Sequence, residues 1–513
     1  MKHWLDLSLS LAFLLCASPA PAAPIAVEGP NVRPEDFQIT VLAQGLNYPK
    51  GMQALADGSI LVATSDPNPG SKSFYSSKGT LIRLEDSDRD GVADGPPTVL
   101  YSGLPGSLSG LRVTGSLVFV ASVGKRISVL RAGPAPSTPL SLLGAIIFNL
   151  PSGWEHPPSD LAVRDTPGKP RSYDLFFQLG SQENFAPSTS TVTVGGLVSG
   201  AIRGDSIYQV TITDHGDGVT ASDLRQIATG LRNPAGFAFH PSTGDLYFED
   251  NGIDGLADPN EPLSADELNS IPAAAIGGSA IADFGFPQSY VEYRTGKLVG
   301  GGGISPLVAF EPLPDPRNGD ESEGPAEISF APPGFPEGLN RGLFLGFHGK
   351  FNLRGLSNEE NPVVYVDLAT GDYFHFVSNV EASVGHLDGL LATEDSLFLA
   401  DIASQGSMND GGGSGVIYRV HATQKGRELF VRGDSNRDDS VNLSDCFRVL
   451  EYLFQTGEPL PCPDAADAND DGEVDILDAV AILFVLFVGS TMPPPFPGPG
   501  EDPTPDALRC PPP

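Results

Sequence analysis

Positive charge is what this sequence most lacks: 30 Lys and Arg stand against 64 Asp and Glu in 513 residues, for a formal charge of −34. Such a balance repels nucleic acid and anionic membranes and makes divalent cations natural partners. Long apolar runs are scarce too. After the first residues the best is Ala479–Val488, about half the length that a membrane-spanning helix needs. Cysteine is rare, with four in the chain.

The opening "MKHWLDLSLSLAFLLCASPAPAA" has a basic start, an apolar run from Leu7 to Leu15 and small residues from Ala20 to Ala23. This is the pattern of a cleaved secretory signal over residues 1–23, so the mature chain is expected to be secreted or held at the cell surface. Leu14 and Leu15 precede Cys16 where a lipid-anchor signal carries a small residue. Export permits one disulfide among Cys446, Cys462 and Cys510, and Cys462 with Cys510 is the expected pair.

Glycine and proline, by contrast, are plentiful, at 60 and 48 residues, which favours turns and strands over long helices. A short apolar strand recurs six times, as in "GSILVATSD" from Gly58, "GDLYFEDNG" from Gly244 and "DSLFLADIASQG" from Asp395. Each follows a companion strand: "YPKGMQAL", "LSGLRVTG", "HPPSDLAV", "NPAGFAFH", "GPAEISFA" and "GHLDGLLA". Alternating third strands such as "GTLIRLED" and "GVIYRVHA" come after most of them. Six repeats of three or four antiparallel strands over residues 34–422 predict an all-β domain, a six-bladed β-propeller. The six companion openings should then converge on one face. That convergence explains why Arg232, Asn233, Asp250 and Asn251 flank the hairpin "GLRNPAGFAFHPSTGDLYFEDNG".

Beyond residue 422 the pattern changes. "DSNRDDSVNLSD" and "DANDDGEVDILD" are twelve-residue loops offset by 33 residues, with oxygen ligands at the first, third, fifth and twelfth positions. Each precedes an apolar helical run, Phe447, Leu450, Leu453 and Phe454 in one, Val480, Leu483, Leu486 and Phe487 in the other. Alternating oxygens that wrap a hard cation, with a helix fixing the last carboxylate, are a calcium signature. The pair, over residues 431–490, resembles a dockerin module, a small α-helical domain with two calcium loops that docks onto cohesin partners. The resemblance gives Asp434, Asn436, Asp438 and Asp445 to one ion and Asp467, Asn469, Asp471 and Asp478 to the other. The first loop has Asp439 where the second keeps the turn glycine, Gly472. Residues 491–513 form a proline-rich tail with no core of its own. A third acidic run, "DSDRDGVADG" from Asp86, reads either as a calcium loop or as a solvated hairpin tip.

The hairpin from Gly230, together with "DELN", "FGFP", "GFHGKFN" and "HPPSDLAV", is similar to the glucose/sorbosone dehydrogenase family, six-bladed propellers of which some members are quinoproteins. The resemblance implies pyrroloquinoline quinone as cofactor, one calcium ion beside it and a sugar substrate. It makes His156 the general base, gives Arg232, a second catalytic group, and Asn233 to the cofactor's face and the bound substrate, and gives Asn251 and Lys350 to the cofactor, with the backbone carbonyls of Gly252 and Ile253 on the calcium. The chain departs from the family at three positions. His386 opens the last blade where quinone-binding members place arginine, Ile253 stands for proline, and Phe351 for tryptophan. These departures keep a second class open, a non-catalytic propeller that binds carbohydrate or protein at the same mouth.

Overall fold

The computed structural model describes residues 25–30, 32–256, 262–310, 324–348, 363–379, 386–403, 408–409, 411–423, 429–455 and 458–500, with 502, 504, 508 and 510. Among them, six sheets of four to six strands form the blades of the propeller, beside one two-stranded hairpin. The innermost strands are Met52–Ala54, Leu108–Thr114, Leu161–Asp165, Pro234–Phe239, Pro325–Phe330 and Gly389–Ala392, blades one to six in that order. Each packs on the next and the sixth packs on the first, so the ring is closed.

Alternation within each strand explains the closure. In the second strand of blade five, Leu343, Leu345 and Phe347 face blade four, while Phe344 faces blade six. Side chains of a strand point to opposite faces in turn, so a strand that is apolar throughout serves two neighbours at once. Six apolar clusters result, one between each pair of adjacent blades. The buried runs noticed in the sequence are these two-faced strands.

The last blade borrows its outer strand from the start of the chain. Phe37–Leu46 pairs antiparallel with Gly415–Ala422, which ties the first strand of the propeller to the last. Ile25–Val27, upstream of residue 34, adds a further edge to blade five by pairing with Tyr373–Asn379. Thr191–Gly196 and Gly200–Arg203 lie in sequence within blade three but extend blade two.

After the propeller, two helices, Leu443–Phe454 and Ile476–Val488, each follow one of the acidic loops. Each begins with a capping box, built by Asn442 with Asp445 and by Asp475 with Asp478, so the twelfth residue of each loop also satisfies the first turn of its helix. The helices share a core through Cys446, Val449, Ala479 and Ile482. Here the proline-rich segment differs from expectation. It has no separate core, but Met492 joins that of the helices, Gly500 bridges to Phe430, and Cys510 is bonded to Cys462.

Arg432 is the hub of this arrangement, fully buried, donating to the carbonyls of Pro494 at 2.9 Å and Asp467 at 2.6 Å and pairing with Asp470 and Asp502. A charge so placed is tolerated because every face of the guanidinium meets an acceptor. Cys446 is buried as a free thiol. No helix among the described residues is long and apolar enough to cross a membrane.

The disulfide spans 48 residues, and loop closure of that length contributes roughly 4 kcal/mol. Cys510→Ser should therefore lower the melting temperature of the helical module and leave the propeller transition in place. Cys446→Ser followed in the same calorimetric scans should lack that selective effect on the disulfide-locked part.

Candidate functional site

The six openings converge as the repeats predict. They surround a cleft of about 960 Å3, to which the blades contribute in turn Lys50, Gly110, His156, Asn233, Glu327 and Asp388. Arg232, Asn251 and Gly252 line it as well, so most of the residues that the family resemblance selects meet in one place. Lys350 lies outside the described residues.

The hairpin of blade four is held by one carboxylate. Asp250 accepts from the backbone amides of Arg232 at 3.0 Å and Asn233 at 2.6 Å, opposite the register pair Pro234 and Asp250. Burial pushes the Asp250 carboxyl up to about 7, against the pull of those two amides. Asn251 turns its amide nitrogen inward, toward Glu249 at 2.9 Å and the carbonyls of Asn233 and Pro325 at 3.2 and 3.1 Å. The polar ends of this hairpin thus build each other before they build a site.

His156 is nearly buried and its ring has a defined tautomer. Nδ1 faces the Ser181 carbonyl at 3.2 Å and Ser181 Oγ at 2.8 Å, and that hydroxyl donates to Glu183. Both oxygens therefore accept, the proton sits on Nδ1, and Nε2 keeps a lone pair. Among the described residues nothing bonds to Nε2. Burial, reinforced by the Arg232 charge, lowers the imidazole pKa to about 3, so the ring is neutral across the ordinary range.

The cations of the cleft are already engaged. Arg232 donates to the Asn184 carbonyl at 3.2 Å, Asn184 Oδ1 at 2.9 Å and the Asn251 carbonyl at 3.4 Å, and pairs with Asp254 at 2.6 Å. Lys50 pairs with Asp388 at 3.2 Å. Burial opposes the charge on Lys50, but Asp388, with Asp160 and Glu327 near, raises its pKa above the usual lysine value. Asp388 also accepts from His348 Nδ1 at 2.8 and 2.9 Å. Burial opposes its charge as well, yet His348 and Lys50 hold it well below the ordinary carboxylate range. His386 donates to the His348 carbonyl and stacks on that ring at 4.6 Å. Arg112, behind the wall, pairs with Glu327 at 3.0 Å.

A tricarboxylate cofactor needs cations with donors to spare, and a calcium ion beside it needs carbonyls turned outward. The described cations of the cleft are engaged within the chain, and one of the two carbonyls expected on the calcium is turned inward. Each cation here is matched by a carboxylate of this chain, and Asp388 places negative charge at the opening of blade six. The Ile253 carbonyl accepts from the backbone amides of Leu263 at 2.7 Å and Ser264 at 3.4 Å, so it points into the protein. The donor set does not fit the quinone.

Lys50, Asp160 and Asp388 escaped the site reading although each stands in a quoted repeat, just ahead of the inner strand. The signal was positional: the openings of the innermost strands, within two or three residues of their first position, face the mouth. In the helical module, the first and twelfth ligand positions, Asp434, Asp445, Asp467 and Asp478, are all buried. Asp439 adopts φ +66 and Gly472 φ +83, so an aspartate occupies the left-handed turn that glycine fills in the other loop. Asp86, Asp88 and Asp94 also gather their oxygens within 4.8 Å of one another on the rim of blade one.

Comparison with known proteins agrees on the architecture. The family model for the Dockerin type I domain matches residues 432–483. An uncharacterised protein of Borreliella burgdorferi is 42% identical over 64 residues, which is 12% of this chain and 14% of that protein, so the chain spans about one-seventh of that relative. Among solved structures, the holo PQQ domain of pyranose dehydrogenase from Coprinopsis cinerea is 14% identical over 79% of this chain and 98% of that one, with a TM-score of 0.50. A PQQ-bound aldose sugar dehydrogenase from Streptomyces coelicolor is 19% identical over 75% and 98%, with a TM-score of 0.42. At 14% identity the likeness to the pyranose dehydrogenase domain is one of fold.

The tautomer and depressed pKa of His156 generate a direct expectation. In the unfolded chain the ring protonates below its ordinary value of 6.5, while in the fold it stays neutral to about 3, so its share of stability is lost as pH falls through that window. Nitrogen NMR should show Nδ1 protonated and Nε2 bare down to about pH 4. Thermal melts of His156→Gln should show a shallower loss of stability with acid than the parent.

Proposed function

We propose that this chain is an exported carbohydrate-binding propeller that seats sugar hydroxyls in the cleft over His156 and is joined to a cohesin-like partner through its dockerin module. The observation that supports it most is the internal pairing of every described cation at the mouth, which leaves neutral groups to meet a ligand. The Asn233 amide, His156 Nε2 and the half-exposed ring of Tyr75 are such groups. Uncharged donors and acceptors beside an aromatic face suit a polyhydroxylated ligand.

The module adds assembly. We assign calcium to its two loops, where paired buried carboxylates would otherwise repel: burial first, then neighbouring Asp467 and Asp471, raise the Asp478 carboxyl to about 6. Phe447, Phe454, Phe484 and Phe487 are exposed on its helices, and an apolar face of this kind is what a docking partner would cover. Export suits the Cys462 to Cys510 disulfide.

A second reading, oxidation of a sugar hydroxyl with pyrroloquinoline quinone and calcium, is favoured by the neutral His156, which is a proton acceptor of the right kind. Calorimetric titration separates the two. With the intact chain in calcium, neutral glycans should give binding heat and the quinone none, and His156→Ala or Tyr75→Ala should weaken glycan binding by about tenfold. Reduction of an artificial dye by aldoses in the presence of quinone would instead establish the second reading. Chelation of calcium should unfold the helical module, read by loss of helical circular dichroism, while the propeller keeps its own transition.

A further inference from the structure

The charge census of the cleft goes further than its hydrogen bonds. Six carboxylates line it, Glu155, Asp160, Asp254, Asp266, Glu327 and Asp388, against two cations, Lys50 and Arg232. Burial pushes the Glu327 carboxyl up to about 7, so below neutral pH five negative groups, Glu155, Asp160, Asp254, Asp266 and Asp388, meet three positive ones, Lys50, Arg232 and Arg112, an excess of two. In a cleft with low-dielectric walls that excess is focused on the ligand rather than screened away.

One carboxylate is placed to use it. Asp160, 4% exposed, stands on the floor just ahead of the inner strand of blade three. Its Oδ2 accepts from the Phe237 amide at 3.0 Å, whereas Oδ1 has no hydrogen-bond partner among the described residues. A buried carboxylate oxygen without a donor is costly unless a ligand supplies one. The neighbouring wall is Gly110, where a Cβ would come within 2.4 Å of that oxygen, so only glycine lets the carboxylate keep its place at the mouth. Glu155 stands exposed beside His156 at the rim.

We propose that the cleft selects amino sugars: polyhydroxylated ligands whose free primary ammonium is drawn to Asp160 and Glu155 while their hydroxyls meet His156 and Asn233. This rests on the sugar-binding reading and gives it a substrate class. Anionic sugars are excluded by the same excess of charge.

The test uses the intact chain in calcium, below neutral pH so that the amines are protonated. Calorimetry compares a β-1,4-linked glucosamine tetramer, its N-acetylated counterpart and a galacturonic acid tetramer. The free amine should bind about tenfold tighter than the acetylated form at low salt, with the gap closing as salt screens the charges, and the uronate should bind weakest. Asp160→Asn should narrow the gap. Because that buried change also touches the Phe237 amide, the exposed Glu155→Gln provides a second variant that should narrow it in part. Equal affinity for the amine and its acetylated form, a gap indifferent to salt, or tightest binding of the uronate overturns the selection and leaves sugar binding standing. Binding of none of the three overturns both.

Discussion

Ring closure is the constraint on which the rest depends. Six blades of a repeated strand unit have to meet end to end, and the strand Phe37–Leu46 completes the last blade, so the first and last parts of the propeller are held by one antiparallel ladder. Once the ring is closed, the segment before each innermost strand has nowhere to go but the channel mouth. Residues 50, 156, 233 and 388, far apart in sequence, become neighbours for that reason and no other.

Closure also fixes the electrostatics. Groups brought to a narrow mouth lose water, and charges that lose water seek partners. Lys50 finds Asp388, Arg232 finds Asp254 and Arg112 finds Glu327. His156, with no carboxylate against it and Arg232 near, stays neutral. The mouth therefore combines a satisfied ionic framework with a few open neutral groups and a surplus of carboxylate, a combination that suits hydroxyls and ammonium groups better than a polyanion.

Much of this was legible in the sequence. The six companion strands and their partners gave the propeller because their spacing and alternation are local properties that closure only repeats. The gathering of Arg232, Asn233, Asp250 and Asn251 followed from the geometry of one hairpin, and the paired acidic loops announced themselves by spacing. What the sequence hid is what depends on long-range partners. Arg232 reads as a free donor until Asn184 and Asp254 are seen to occupy it, and Asp388 reads as a turn residue until it meets Lys50, 338 positions away. The proline-rich segment likewise reads as a loose tail, because nothing local reveals that Arg432 and Cys462 hold it.

Internal pairing of the cleft's cations, on the proposed reading, decides what the cleft accepts. Asp388→Asn would free Lys50 and remove negative charge from the opening of blade six without changing side-chain volume much. An absorbance titration of pyrroloquinoline quinone into the parent and this variant, in calcium, tests the claim most directly. The account predicts no binding by the parent and measurable binding by the variant, and saturable binding of the quinone by the parent would contradict it.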